Sequence, residues 1–414
     1  MLLDTGPLRR HRNFRLVFAG QLISFLGSMV SYVAVPVQIQ ALTHSPMMVG
    51  LLGVTQLLPV LVFGLWGGSL ADALDRRKLL IYSELVMTLA AFGLALNAAA
   101  PTPNVIAVFT LAFVIQSANS LHRPAMEALA QKLVTVPELP AASALISLRG
   151  SIGAVAGPML GGILVAKAGV SAAYIADALS FGVAMICLGL MRDLPPREQS
   201  AQAGWSSILE GLRYALKRPE LIGSYVVDIV AMAFAFPIAL FPSMAEGWGG
   251  ADATGYLYSA MPAGALLISA FSGWTGRIKK QGAAVIVAAG LWGVFVVGFG
   301  YSKSLAWALV FLALAGAADA VSGIFRMTIW NQSIPNSLRG RLAGVEMISY
   351  LTGPLIGNTR AGAVAAASTT SFSIISGGAL CVLGVVACAF ILPKFLHYQR
   401  PNQSPLPQAS GSSS

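Results

Sequence analysis

The segment Gly68-Ser-Leu-Ala-Asp72-Ala-Leu-Asp75-Arg76-Arg77-Lys78 separates two long apolar stretches in a chain of 414 residues. Each flanking stretch is long enough to cross a bilayer as a helix, since one span needs about 20 apolar residues. A weaker version of the charged segment, Gly273-Trp-Thr-Gly276-Arg277-Ile-Lys279-Lys280, lies at the corresponding place in the second half of the chain. The charged loop and its repeat predict a membrane protein built from two similar halves.

The composition around these loops is that of a membrane protein. Hydrophobic residues make up 56% of the chain, charged residues only 10%, and the mean hydropathy is +0.74. A soluble chain carries about a quarter charged residues. Cys187, Cys381 and Cys388 lie in apolar runs, which argues against a disulfide scaffold. We interpret the net charge of +10 as a topology signal rather than as a sign of nucleic-acid binding.

Twelve runs of about the required length predict transmembrane helices. They cover residues 14–36, 47–71, 78–99, 104–131, 139–167, 171–191, 220–244, 253–276, 282–301, 304–330, 339–365 and 370–393. The predicted fold is an all-α integral membrane protein with 12 transmembrane helices in two pseudo-repeated six-helix bundles. The predicted segments are an N-terminal bundle at 1–191, a cytoplasmic central loop at 192–219, a C-terminal bundle at 220–396 and a disordered tail at 397–414.

The basic residues are distributed unevenly over the predicted loops. Twenty of the 26 Lys and Arg residues lie in segments on the same side as the N-terminus, whereas only Lys167 and Lys303 lie in loops on the other side. Loops rich in Lys and Arg remain in the cytoplasm. The sequence therefore predicts a multi-pass protein of the cell inner (cytoplasmic) membrane with both termini in the cytoplasm.

The segment at 68–78 resembles the loop motif between the second and third spans of the major facilitator superfamily. Two positions depart from the family pattern, because Ala73 replaces an arginine and Asp75 replaces a glycine. Charges that merely stop transfer through the membrane are the alternative, but the repeat in the second half favours the family motif. The resemblance implies that Asp72 caps a neighbouring helix in one conformation and that Arg76 pairs with Glu127. The predicted gating motif consists of Gly68, Asp72, Arg76 and Glu127.

Span five contains Arg149-Gly-Ser-Ile-Gly153-Ala-Val-Ala-Gly157-Pro158-Met-Leu-Gly161-Gly162, which is similar to the antiporter motif of exporters in this superfamily. Glycine at every fourth position predicts a thin stripe on one helix face that lets another helix pack closely, and proline permits a bend. Ordinary small-residue packing is the alternative, but the Gly-Pro-x-x-Gly-Gly ending with an upstream arginine favours export. The motif residues are Gly153, Gly157, Pro158, Gly161 and Gly162.

Ionisable residues inside the spans are candidates for proton coupling, because a charge that faces lipid costs several kcal/mol. The candidate acids are Asp228, Asp319, Glu84 and Glu346. Asp319 and Arg326 are two turns apart and are predicted to share a helix face. Other groups have structural interpretations, since Arg123 can pair with Glu127 at i, i+4. Asp177 is predicted to be a helix cap or a partner of Lys167, and His122 is either a packed polar residue or a proton carrier.

The stretch Val33-Ala-Val-Pro-Val-Gln-Ile-Gln40, followed by Thr43-His44-Ser45 and Val49-Gly50-Leu51, resembles the siderophore exporters of the superfamily. This resemblance implies proton-driven antiport of an iron-free catecholate siderophore, such as enterobactin, from the cytoplasm to the outside. Macrolide and multidrug exporters are similar, so efflux of those compounds is the alternative. A channel or an enzyme is disfavoured by the duplicated halves and by the lack of a visible catalytic cluster.

A bulky ligand that carries catechol rings would suit a cavity of aromatic and amide groups with a few cations. The candidate lining residues are Gln21, Tyr32, Gln38, Gln56, Gln116, Asn119, Arg149, Phe234, Phe236, Arg326, Trp330 and Arg360. Neither metal-binding nor Walker motifs occur, so an ion gradient is the expected energy source. The expected partners are a small-molecule substrate, protons and the lipid bilayer, without a cofactor, a metal or nucleic acid. The expected functional unit is a monomer.

Cysteine labelling checks the predicted topology. We expect a cysteine introduced at position 44 or 248 to react with a membrane-impermeant thiol reagent from outside the cell, and one at position 205 only from the cytoplasm. The reason is the charge asymmetry of the loops. The native cysteines are replaced by serine as the control background. Labelling of position 44 from the cytoplasm would contradict the prediction.

Overall fold

The computed structural model describes residues 4–73, 75–192, 213–335 and 339–399, and it does not describe the side chains at 64–73, 128, 131, 339–341 and 343–349. The described residues form helices and connecting turns without strands. The α-helices are α1 (Gly6–Arg10), α2 (Arg12–Thr43), α3 (Pro46–Ala73), α4 (Arg76–Ala99), α5 (Val105–Lys132), α6 (Leu139–Gly189), α7 (Pro219–Ala235), α8 (Phe241–Ala245), α9 (Ala251–Ala270), α10 (Gln281–Gly300), α11 (Leu305–Ser333), α12 (Arg339–Ala367), α13 (Thr370–Ile391) and α14 (Pro393–Leu396). Short 3-10 helices cover Val136–Glu138, Ile238–Leu240, Glu246–Trp248 and Ser272–Arg277.

Nine helical segments of the described chain are long and apolar enough to cross a membrane. One of them, Val136–Gly189, has 54 residues, about twice the length that one span needs. Its backbone breaks at Gly169, where φ is 84°, a value that glycine adopts without a steric penalty. Helix α6 therefore consists of two legs, 139–168 and 170–189, at the positions predicted for spans five and six. The helices α9 and α12 are not among the nine, so the count of twelve spans stays a prediction.

The span predicted at 220–244 is wrong as a continuous helix. Helix α7 ends at Ala235, and Phe236 has an extended backbone with φ −92° and ψ 104°. Pro237 explains the break, since proline disfavours a helical conformation at the residue before it and has no N–H to donate. The chain continues as a 3-10 turn and the short helix α8.

The helices pack as two groups, α2–α6 and α7–α13, that meet along two helix pairs. Helix α3 packs against α12, and α6 packs against α9. Both contacts are close because glycines face each other. A Cβ atom built on Gly50 would lie 3.0 Å from the Cα of Gly362, and one built on Gly162 would lie 2.8 Å from the Cα of Gly255. Backbone approaches of this kind need residues without side chains.

The glycine stripe of α6 packs in two directions. Gly153 faces the ring of Phe25, Gly157 faces Met29 and Gly161 faces the backbone of Val30, all on α2. The stripe therefore brings α6 against α2 within the first half, as the four-residue spacing predicts. The next residue, Gly162, faces the second half of the molecule and contributes to the contact with α9.

We expect Gly162→Leu to destabilise the protein by roughly 1–3 kcal/mol, because the new side chain overlaps the backbone of α9. Thermal unfolding in detergent measures the effect. Gly182→Leu is the matched control, since it lies on the same helix and a Cβ there meets nothing within 4 Å. Equal melting temperatures for the two variants would contradict the assigned contact.

Candidate functional site

A cavity of about 170 Å³ lies between the two halves. The first half lines it with residues of α2, α3, α4, α5 and the second leg of α6, and the second half with residues of α9, α12 and the turn after α7. Of the predicted cavity residues, Tyr32, Gln56, Gln116 and Asn119 lie on this lining. The lining therefore combines side-chain amides of α3 and α5 with the aromatic ring of Tyr32.

An aromatic contact joins the two halves at the broken end of α7. The ring of Tyr258 on α9 packs edge-to-face against the ring of Tyr32, with centroids 5.1 Å apart. The Tyr258 hydroxyl donates to the carbonyl of Ile238 at 3.4 Å, and the backbone N–H of Ala239 donates to the side chain of Asn358 at 3.1 Å. These bonds supply partners for backbone groups of Ile238 and Ala239, which lie in the turn after the break at Pro237. Tyr258 and Asn358 are not predictable as lining residues from their own sequence neighbourhood, although the step Phe236-Pro237 is a visible signal of a broken span.

Asp177 also lines this cavity and is only 1% exposed. The prediction that it is a helix cap or a partner of Lys167 is therefore wrong. The second leg of α6 begins after Gly169, so Asp177 lies two turns inside the leg and points into the bundle. The hydroxyl of Ser180 lies 3.4 Å from its carboxylate.

A buried polar cluster in the first half is centred on Glu84 of α4, which is 0% exposed. The amide of Gln21 donates to Glu84 Oε1 at 3.0 Å, and His122 Nε2 lies 3.0 Å from the same oxygen. A buried carboxylate is costly unless it is protonated or paired with a cation. The amide of Gln21 and the imidazole of His122 therefore give this buried carboxylate two polar neighbours.

A second charged cluster joins α7 to α11 in the other half. Arg326 forms an ion pair with Asp228, and its second terminal nitrogen lies 3.6 Å from Asp319. The side chain of Asp228 is 6% exposed and that of Asp319 is 40% exposed. One cation between two acids leaves one negative charge uncompensated when both acids are ionised. Asp319, the more exposed acid, is the less closely paired of the two.

Comparisons with known proteins agree with this architecture. The profile of a major facilitator family described as "transmembrane secretion effector" matches residues 4–409. The chain belongs to the major facilitator superfamily. It is 32% identical to the enterobactin exporter EntS of Shigella flexneri, covering 100% of this chain and 98% of the relative. The identity to EntS of Escherichia coli O139:H28 is also 32%, covering 100% of this chain and 99% of the relative.

Solved structures of transporters share the fold. A bacterial homologue of the lysosomal transporter Spinster, in an inward-facing and unoccupied conformation, superposes with a TM-score of 0.73 over 97% of this chain and 100% of that chain, at 14% identity. The nucleoside transporter NupG superposes with a TM-score of 0.70 over 94% of this chain and 100% of that chain, also at 14% identity. At these identities the likeness establishes the fold alone. Together with the family membership, the full-length exporter relatives establish a membrane transporter rather than an enzyme.

The structure describes the charged end of the superfamily loop motif, from Asp75 to Lys78. Asp75, which replaces the family glycine, caps α4 by accepting from the backbone N–H groups of Arg77 at 2.9 Å and Lys78 at 3.2 Å. Arg77 donates to the carbonyls of Leu188 and Gly189 at the end of α6. Asp75 thus caps the N-terminus of α4, and Arg77 binds the negative C-terminal end of α6.

Among the described residues, Glu127 has a different partner from the predicted Arg76. Glu127 forms its ion pair with Arg123, one turn away on α5, with 3.2 Å between Nε and Oε1. The short i, i+4 reach explains the preference. Gly68, Asp72 and Glu346 belong to helical stretches whose side chains lie outside the described residues.

Several other predicted cavity residues are engaged within one half. The Tyr174 hydroxyl donates to Gln38 at 2.7 Å, so the amide of Gln38 serves packing rather than the cavity predicted for it. Arg360 donates to the carbonyls of Phe234 at 3.0 Å and Ser373 at 3.1 Å. Its guanidinium therefore joins α12 to α7 and α13, a packing role instead of the predicted ligand contact.

The remaining predicted residues also have surroundings that the sequence did not indicate. The ring of Phe236 stacks on that of Trp292, with centroids 6.5 Å apart. Arg149 and Trp330 each have a buried nitrogen, Nε and Nε1, without a hydrogen-bond partner among the described residues. A buried donor without a partner is costly, so these two N–H groups are suited to donate a hydrogen bond to a ligand or a water molecule.

We expect Arg326→Gln to lower stability by about 3 kcal/mol, because it leaves the buried Asp228 without its cation. The double variant Asp228→Asn/Arg326→Gln should recover part of the loss, since it removes the unpaired charge as well. Melting temperatures of the two single variants and the double variant complete the cycle. Strictly additive effects would contradict a direct pair.

Proposed function

We propose that this transporter exports a catecholate siderophore similar to enterobactin from the cytoplasm and that inward movement of protons drives it. The observation that carries the substrate class is the similarity to enterobactin exporters over the full length of both chains. Export of macrolides or other drugs is the alternative within the superfamily. The proposed setting is the inner membrane, with both termini in the cytoplasm and the monomer as the working unit.

The chemistry of the cavity supports an aromatic, hydrogen-bonding substrate. Tyr32 and Tyr258 offer ring faces and edges, and Gln116, Asn119 and Asn358 offer amides that can bind catechol hydroxyls. The cavity volume of about 170 Å³ is too small for a whole siderophore, since sites for drug-sized ligands occupy about 300–1,000 Å³. Binding therefore requires the halves to move apart along the α3–α12 and α6–α9 contacts.

The Asp228–Arg326–Asp319 cluster is the proposed coupling site. Desolvation favours the protonated form of a carboxyl group, whereas a nearby arginine favours the ionised form. A shift of α7 relative to α11 changes the distance between Arg326 and its two acids, and so changes which acid binds a proton. Glu84 with His122 is the second candidate pair, and Glu346 remains a candidate on sequence grounds.

Transport into inverted membrane vesicles tests the coupling. We expect an inside-acid pH gradient to drive uptake of iron-free enterobactin by the wild-type protein. We further expect Asp228→Asn or Asp319→Asn to reduce this uptake by about tenfold, because coupling between two ligands of one protein is typically worth 5- to 150-fold. Glu220→Gln is the matched control, since Glu220 lies on the same helix as Asp228 and pairs with Arg218 instead.

The outcomes separate substrate from coupling. Uptake of a macrolide but not of enterobactin by the wild-type protein would identify a macrolide as the substrate and would leave the proposed coupling unchanged. Full gradient-driven uptake by both Asn variants, at matched protein levels, would exclude the Arg326 cluster. Loss of uptake in Glu84→Gln would then assign coupling to the Glu84–His122 pair.

A further inference from the structure

A second cavity, of about 460 Å³, lies far from the substrate cavity, at the end of the bundle that carries the N-terminus. Four cationic side chains from separate elements line it: Arg10 of α1, Arg12 of α2, Lys132 of α5 and Arg192 just after α6. None of the described residues that line it is acidic. The transport mechanism proposed above uses none of these four side chains.

Hydrogen bonds at this pocket connect the start of α2 to the residues that follow α6. Arg12 donates to the carbonyl of Leu190 at 3.1 Å. The side chain of Asn13 donates to the carbonyl of Arg192 at 2.5 Å and accepts from its N–H at 3.3 Å. These contacts hold the backbone of Arg192 beside the start of α2, so both arginines line the same pocket. The fold therefore sets the positions from which the two side chains extend.

Two of the pocket cations, Arg12 and Arg192, form no ion pair with any of the described residues. Two other lining residues share the carboxylate of Glu138, which pairs with Arg10 at 3.2 Å and with His11 at 2.5 Å. Arg12 begins a helix of 32 residues that has neither an acidic residue in its first turn nor a side-chain cap. The positive end of the α2 dipole therefore adds to the arginine charges, and such an end favours an anion.

We propose that this pocket binds a phosphate-bearing anion, contributed either by the headgroup of an anionic phospholipid or by free phosphate. Arginine forms paired hydrogen bonds with phosphate oxygens, and lysine adds a point charge. The volume lies within the range of small-molecule sites, which leaves room for a glycerophosphate headgroup. The loop charges place this end at the cytoplasmic membrane surface, where basic pockets between helices bind acidic lipid headgroups. A bound phosphate bridges α2, α5 and α6.

The test measures thermal unfolding of the full chain in mixed micelles. Each protein is titrated with phosphatidylglycerol, with phosphatidylcholine and, separately, with inorganic phosphate at constant ionic strength. The variants are Arg12→Gln, Arg192→Gln and their double variant. Arg9→Gln is the control, because it removes the same charge from α1 outside the pocket. We expect phosphatidylglycerol, but not phosphatidylcholine, to raise the melting temperature of the wild-type protein.

We expect the apparent affinity for the anion to fall about fivefold for each pocket cation removed and to remain unchanged in Arg9→Gln. Protection by phosphatidylglycerol alone identifies a lipid headgroup, and equal protection by inorganic phosphate identifies a free anion. The same response of the wild-type protein and the double variant to both anions would overturn the proposal. If the double variant does not fold, Arg192→Gln decides alone, since the bonds that Arg192 forms with the described residues involve its backbone.

Discussion

A bilayer offers no partner to a polar group, so each backbone amide and each charge inside it must be satisfied by the protein itself. This constraint explains why the described chain is helical and why its exceptions are supported by specific contacts. The break at Pro237 is the clearest example. Asn358 and Tyr258 bind the backbone beside it, and the same two residues line the cavity between the halves. Irregular backbone thus lies where a substrate would need polar contacts.

The same constraint accounts for the two charged clusters. Each cluster keeps its ionisable groups inside the bundle by placing groups of opposite polarity side by side. In one cluster Arg326 lies between Asp228 and Asp319, and in the other Glu84 lies beside His122. Balance of this kind depends on helix position, because an ion pair weakens as its groups separate. In the coupling that we propose, a change in the arrangement of the helices changes which of these groups binds a proton. This dependence is the physical basis of the coupling that we propose.

The contacts of α3 with α12 and of α6 with α9 include backbone approaches that contain little side-chain material. Gly50 against Gly362 and Gly162 against Gly255 are backbone contacts, and they interdigitate no bulky groups that would have to repack on separation. Within the first half, by contrast, the stripe from Gly153 to Gly161 packs against residues of α2, including the large side chains of Phe25 and Met29. One motif in α6 therefore serves a fixed contact on one face and a contact between the halves at its end.

The sequence by itself determined the helical membrane fold, the superfamily and the Arg123–Glu127 pair, because these depend on local hydropathy, on a loop motif and on spacing along one helix. Only the tertiary structure decided how each helix is rotated. It placed Asp177 on the cavity and engaged Gln38 within one half, where the sequence predicted the reverse. The physical reason is that a helix with apolar residues on all sides has no preferred face until its neighbours are packed against it.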